Sequence, residues 1–258
     1  MQPLFSTNVI EQIAAADSLL AFDFDGTLAP IVPDPGTAAM RSTTRHLLAQ
    51  LAQLYPCMVV SGRPEEDVLK LLSGVTVWYV IGNRCLQPPE LVARLSLRVA
   101  EWRPLLAERL AGVDGVFIED KGVSLAVHYR KAANPESARA AIGAAAAGLE
   151  GARVIPGKEL VNLLPEGGPD KGVAVDRIRS QLGSGATLYL GDDQTDEPVF
   201  RLPLLAGVRI GADPSSAARY CLRDQEEVDE LLERLIALRE RKSRGPEARS
   251  ARMGRRGA

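Results

Sequence analysis

The near-continuous apolar run Ser18–Phe22 (SLLAF) ends directly on Asp23-Phe24-Asp25-Gly26-Thr27-Leu28. A segment apolar at successive positions is buried on both faces, the pattern of an inner strand of a parallel sheet covered by helices. Two carboxylates at i and i+2 leave the strand on one side. They face the crevice at the carboxyl edge, where open α/β sheets bind ligands. Gly26 lets the chain turn tightly there. Crowded carboxylates repel, so the pair needs a cation or a shared proton. A bare Asp-x-Asp reads equally well as a solvated acidic loop; the full string behind SLLAF tells strongly against that.

The same rhythm recurs along the chain. Strands are predicted at 57–60 (CMVV) and 77–81, with helices over 43–54 and 64–72. The pattern then changes to helix, strand, strand, twice over: 91–110, 116–119 and 123–129, then 135–149, 153–155 and 160–164, with turns at 120–122 and Pro156-Gly157. After Pro165 the first rhythm returns: helices at 170–182, 197–202 and 226–238, strands at 187–190 and 208–210. The expected fold is an α/β Rossmann-like parallel-sheet core, residues 1–84 and 169–240, with an α+β cap inserted at 85–168. The 258 residues suit one large domain with an insertion.

With 46% hydrophobic and 25% charged residues the chain is globular rather than disordered. A net charge of -2 gives no case for nucleic-acid binding. Positive charge is gathered in residues 239–258, which hold eight Arg or Lys and two Glu. From 241 to 258 aliphatics are nearly absent, so a disordered tail is expected there. Three cysteines, Cys57, Cys85 and Cys221, without a CxxC, argue against a disulfide framework or a thiolate metal site. No apolar run reaches a membrane-spanning length and no secretory signal is evident, so a cytoplasmic protein, monomeric by default and without a membrane partner, is expected.

Three more segments fit the crevice. Ser61-Gly62-Arg63 follows CMVV, where a hydroxyl and backbone N–H groups at a strand-to-helix junction suit a phosphate; alone, it is more often a helix cap. Asp170-Lys171-Gly172 opens a helix, and its lysine can neutralise a phosphoryl group and a carboxylate; alone, it is most often a surface lysine. Gly191-Asp192-Asp193-Gln194-Thr195-Asp196-Glu197 puts four carboxylates at a strand end. Oxygen ligands with only two histidines in the chain select a hard cation, Mg²⁺ first.

In this order the four motifs resemble those of the haloacid dehalogenase-like phosphatase superfamily. The resemblance implies that Asp23 is the nucleophile that becomes an aspartyl-phosphate. Asp25 would protonate the leaving oxygen and then activate water, and crowding by Asp23 would help it keep its proton. Mg²⁺ would be held by Asp23, the Asp25 carbonyl and Asp192. Ser61 and Lys171, with Gly62 and Arg63, would hold the phosphoryl oxygens, while Asp193 and Asp196 support the metal and the lysine.

The longer strings DFDGTLAPIVPDP and GDDQTDE, with EDKG at Glu119–Gly122, HYR at His128–Arg130 and Gly157-Lys158 in the cap, are similar to the trehalose-6-phosphate phosphatase family, whose caps are of the C2 type. This implies a sugar-phosphate substrate, trehalose 6-phosphate first, contacted by Glu119, Lys121, His128, Arg130, Lys158 and the residue at Asn162. Read singly, the cap residues are equally polar groups on a plain sheet or in turns. The chain departs from the family pattern at Arg84-Cys85, where the family shows His-Gly, and at Asn162 and Leu164, where it shows Glu and Arg. A related glycosyl or pseudo-disaccharide (cyclitol) phosphate therefore stays open as substrate. A catalytically quiet sugar-phosphate sensor is the reading from another class, and the complete carboxylate and lysine set counts against it.

Overall fold

The structure is a computed structural model that describes residues 1–83, 88–157, 159–168, 170–203 and 205–244. The expectations attached to Arg84, Cys85, Lys158 and residues 245–258 fall outside the described residues.

In chain order the elements are β1 (Gln2–Pro3), α1 (Val9–Ala15), β2 (Ser18–Phe22), α2 (Ser42–Leu54), β3 (Cys57–Val60), α3 (Glu65–Leu71) and β4 (Tyr79–Ile81). Then follow α4 (Pro89–Arg109), β5 (Phe117–Asp120), β6 (Leu125–His128), α5 (Pro135–Ala147), β7 (Ala152–Gly157) and β8 (Leu160–Pro165). The chain returns through α6 (Lys171–Gln181), β9 (Ala186–Gly191), α7 (Glu197–Phe200), β10 (Leu205–Ile210), β11 (Tyr220–Leu222) and α8 (Gln225–Arg244).

Seven parallel strands form one sheet in the order β1-β11-β10-β9-β2-β3-β4. Alternation along β2 sends Leu20 and Phe22 into an apolar layer with α1, α2 and α8, and Leu19 and Ala21 into a second layer with α6 and α7. Both faces are thus dry, which is why these strands read as unbroken apolar runs. β2 lies between β9 and β3, with Phe22 paired to Leu190 and to Val59. That register brings Asp23, Ser61 and Asp192, each just past its strand, to one edge.

The second sheet has four antiparallel strands in the order β5-β6-β8-β7. Leu125, Val127, Val161 and Leu163 point to one face and pack with Trp102 and Leu106 of α4 and Ile142 of α5. Asn134 starts α5 by accepting a hydrogen bond from the Ser137 N–H at 3.0 Å. The alternate residues face the core sheet's carboxyl edge.

Two expectations shift. β7 continues through Pro156 and Gly157, so the turn falls after them. Residues 241–244 belong to α8 rather than to an irregular tail. α1 and β11 carry no sequence expectation: α1 is seven residues interrupted by Glu11, and its helicity comes from burying Val9, Ile10 and Ile13 in the layer shared with α8 rather than from propensity.

Candidate active site

Asp23 follows β2 and is held there by its N–H, which donates to the Leu190 carbonyl at 2.9 Å. Lys171 is the first residue of α6. Asp170 caps that helix, its Oδ1 accepting from the Gly172 and Val173 N–H groups at 2.7 and 3.3 Å. The cap fixes Lys171 so that Nζ lies 2.9 Å from Asp23 Oδ1 and 2.7 Å from Asp196 Oδ1. Burial alone would drive the Lys171 proton off, yet Asp196 and Asp23 hold it well above the ordinary lysine range.

Asp196 is fully buried, and all four of its acceptor positions are used. Oδ1 takes Lys171 Nζ and the Tyr189 hydroxyl, the latter at 2.6 Å; Oδ2 takes the N–H groups of Asp192 and Asp193, both at 2.9 Å. A carboxylate offers about four lone-pair sites. Asp196 therefore shapes the loop and anchors the lysine, although its carboxylate clusters with those of Asp23 and Asp192. A cation is left to Asp23 and Asp192. Asp193 turns inward on itself, Oδ1 accepting from the Gln194 N–H at 2.6 Å.

The donor set fits a divalent cation. Burial, with the Asp196 and Asp25 charges adding and Lys171 opposing, pushes the Asp23 carboxyl up to about 7. Burial and the neighbouring carboxylates also push Asp192 well up, and burial raises Asp193. Three acids in one dry corner are thus short of positive charge, which a divalent oxygen-ligated ion supplies. Gly26 closes the arrangement. Its φ is +83°, and a Cβ there would sit 2.0 Å from Asp192 Oδ2. Any side chain would strain the turn and displace that carboxylate.

Asp25 is met by a guanidinium as well as by its neighbouring acid. Arg63 Nε and Nη2 donate to Asp25 Oδ2 and Oδ1 at 2.6 and 2.7 Å, a two-pronged pair. Arg63, expected at the phosphoryl group, thus grips Asp25. The Ser61 hydroxyl, buried beside it, accepts from the Arg63 N–H at 3.2 Å.

Above this edge lies a cavity of about 690 Å³ lined by Asp23, Asp25, Gly62, Arg63, Lys171 and Asp192 from the core and by Glu119, Lys121, His128, Arg130 and Asn162 from the cap sheet. Glu119 and Asn162 are both in register with Ala126, whose small side chain separates them. Glu119 Oε2 lies 2.8 Å from His128 Nε2 and 3.8 Å from Lys121 Nζ. Burial works to raise the Glu119 carboxyl, but the His128 hydrogen bond and the Lys121 charge outweigh it and hold the group below the ordinary range. Arg130 is a link between the sheets: Nη1 donates to the Val32 carbonyl at 2.9 Å, while Nε pairs with Glu159 at 2.5 Å. Asn83 Nδ2 makes a second link, to the Lys121 carbonyl.

Sequence reasoning missed Asn83, Glu159 and Phe117. Phe117 lines the cavity, is 64% exposed and lies 6.0 Å from the His128 ring. The apolar face of a strand beginning at an exposed edge carried no signal that this aromatic opens on a cavity. Substituting Glu119→Ala is expected to lower kcat/KM for a hydroxyl-rich phosphate ester by roughly ten- to a hundredfold, the worth of one charged hydrogen bond. Hydrolysis of p-nitrophenyl phosphate should stay within about twofold, since that ester has no hydroxyls to read. Equal losses on both esters defeat a recognition role for the cap.

Sheet order, strand-end chemistry and an inserted antiparallel lid together define a capped haloacid dehalogenase-like protein of the C2 kind. More narrowly, the chain belongs to the trehalose-phosphatase family, whose model matches residues 21–204. A trehalose-phosphate phosphatase of Mycolicibacterium paratuberculosis is 33% identical, aligning with 91% of this chain. The chain spans 60–66% of the length of such mycobacterial relatives. Among solved structures, the C-terminal domain of a Candida albicans trehalose-6-phosphate phosphatase shares the fold with a TM-score of 0.78 at 21% identity, over 92% of this chain and 98% of that one. An Aspergillus fumigatus trehalose-6-phosphate phosphatase gives 0.61 at 25% identity, over 92% and 99%. No helix among the described residues is long and apolar enough to cross a membrane.

Proposed function

We propose that this chain is a Mg²⁺-dependent phosphatase that hydrolyses trehalose 6-phosphate to trehalose and phosphate, with residues 1–84 and 169–240 as catalytic core and 85–168 as the cap that recognises the sugar. The observation that carries this is the buried Asp23–Lys171–Asp196 chain at the floor of a cavity whose roof is a polar sheet face. Once the Arg63 fork has opened, Asp25 takes a proton from solvent; Asp23 then attacks phosphorus, the ester P–O bond breaks, and the sugar oxygen receives that proton. In the second half Asp25 takes a proton from water, the water oxygen bonds to phosphorus, and Asp23 is released. Splitting one displacement into two lowers each barrier. Lys171 and Ser61 hold the phosphoryl oxygens, and Arg63 is within reach of the same group when it leaves Asp25. Asp23, Asp192 and the Asp25 carbonyl would hold Mg²⁺, which would neutralise the charge that otherwise sets a carboxylate against a dianionic phosphoryl group.

A panel of sugar phosphates assayed for phosphate release, with and without Mg²⁺, tests both halves. Trehalose 6-phosphate is expected to be the best substrate. Excess EDTA is expected to cut turnover by about a hundredfold or more, with recovery on adding Mg²⁺, given the several kcal/mol a metal contributes to transition-state charge stabilisation. Full turnover in EDTA removes the metal from the reading.

The buried amide of Asn162 on the cavity roof, where the family pattern carries a glutamate, favours a second reading in which a related glycosyl or cyclitol phosphate is preferred. If Asn162→Glu raises activity on trehalose 6-phosphate, that second reading holds.

A further inference from the structure

Beside the main cavity a smaller space of about 70 Å³ lies between the cap sheet and the phosphoryl grip. Its walls include Ser61 and Lys171 from the core and Ser124, Arg153 and Asn162 from the cap. Arg153 stands on β7, on the face that looks toward the core, paired in register with Leu164 of β8, which offers it no charge. It is half-buried, yet among the described residues it makes no hydrogen bond or ion pair. The acid nearest to hand in the same space, Asp170, is engaged in capping α6. Ser124 and Asn162 are both buried, and neither side chain has a hydrogen-bond partner among the described residues.

The polar ends of all three side chains open on this one space, so each has a donor or acceptor to offer a ligand there. The space is narrow and shares Lys121, Asn162 and Lys171 with the main cavity, so a ring seated beside it can extend hydroxyl groups into it. A guanidinium donates, while a hydroxyl and an amide both donate and accept, which is the set needed by neighbouring hydroxyls on one ring. Because Ser61 and Lys171 share the space, the hydroxyls that enter it lie close to the phosphate. The main cavity, with Phe117 and His128, is left for whatever is attached further on.

We infer that Arg153, assisted by Ser124 and Asn162, reads hydroxyl groups on the sugar ring that carries the phosphate, and so helps set substrate specificity. This rests on the sugar-phosphatase reading above. It gives that reading a direction: the phosphate-bearing ring is gripped on the β7 side, the distal ring on the β5 side. Arg153 touches no group assigned to the chemical step, so its loss should act through substrate recognition alone.

The test compares wild type with Arg153→Ala and Arg153→Gln, the second keeping much of the side-chain packing. Both variants are expected to lose roughly ten- to a hundredfold in kcat/KM on the best sugar phosphate, with p-nitrophenyl phosphate within about twofold and melting temperature unchanged. In an Asp23→Asn background, calorimetric binding of glucose 6-phosphate and of trehalose 6-phosphate should weaken by the same factor on adding Arg153→Ala. A loss confined to trehalose 6-phosphate puts Arg153 on the distal ring and overturns the assignment. So does a change confined to inhibition by inorganic phosphate, which would make the space an oxyanion site. Wild-type sugar preference that survives both substitutions overturns this inference alone. A wild type that treats p-nitrophenyl phosphate as well as any sugar phosphate overturns the sugar-phosphatase reading with it.

Discussion

Asp23→Asn is expected to reduce phosphate release by about 10⁴-fold or more, the scale on which removing a covalent nucleophile acts, while the fold survives. The amide occupies nearly the same volume and cannot form an acyl-phosphate. Stability should hold because the substitution withdraws one charge from a corner that is already over-supplied with them. The Asp23 carboxyl is pushed up to about 7, chiefly by burial, and Asp192 is raised in part by Asp23 itself. Lys171 loses one partner at 2.9 Å but keeps Asp196 at 2.7 Å. In metal-free buffer the melting temperature should therefore fall by no more than a few degrees, which is about 1 kcal/mol or less for a chain of this size. Beryllium fluoride with Mg²⁺ should raise the melting temperature of the wild type and leave that of the variant unmoved. Near-native turnover by Asp23→Asn would falsify the nucleophile assignment.

The parts of this molecule that could be read from the sequence are those in which one physical demand acts on a short stretch. SLLAF had to be an inner strand because both its faces are dry, and β2 runs over those same five residues. Asp170 had to start a helix because its side chain satisfies N–H groups that have no other partner. Relations between distant residues were not legible. No spacing rule joins Arg63 to Asp25, 38 positions apart, or Arg130 to the Val32 carbonyl, 98 apart. The first exists because β2 and β3 are neighbours that end at one edge, the second because the cap folds down on that edge. The division of labour among the carboxylates of GDDQTDE came from the family resemblance and not from the residue types themselves. The sequence offers Asp192, Asp193 and Asp196 as chemically equal, and only the loop's backbone decides which one is consumed by it. Boundaries moved where side-chain identity is a weak constraint: β7 accepts Pro156 because it is an edge strand, where a missing N–H costs no ladder bond.

The carboxylate so consumed gives the second large effect. Asp196→Asn is expected to destabilise the protein by about 3–5 kcal/mol, the usual cost of removing one partner from a buried ion pair, and to abolish turnover. An asparagine keeps one acceptor oxygen and puts an NH₂ where the other was. In one orientation the oxygen serves Lys171 and Tyr189 while the NH₂ faces the Asp192 and Asp193 N–H groups, donor against donor. In the other orientation the loop is satisfied and the NH₂ faces a lysine ammonium. Neither choice meets all four contacts, and a buried group left unsatisfied costs its full desolvation. Asp193→Asn is the control. That side chain accepts from the Gln194 N–H and caps a single short turn, a task an asparagine oxygen performs as well, so this substitution should cost roughly 0.5 kcal/mol or less. Urea unfolding of the two variants separates the cases. A difference of several kcal/mol, with Asp196→Asn the weaker, marks Asp196 as the residue on which both the acidic loop and the catalytic lysine are built. Equal, small losses would mean that Lys171 is held in place by Asp23 and by its helix alone.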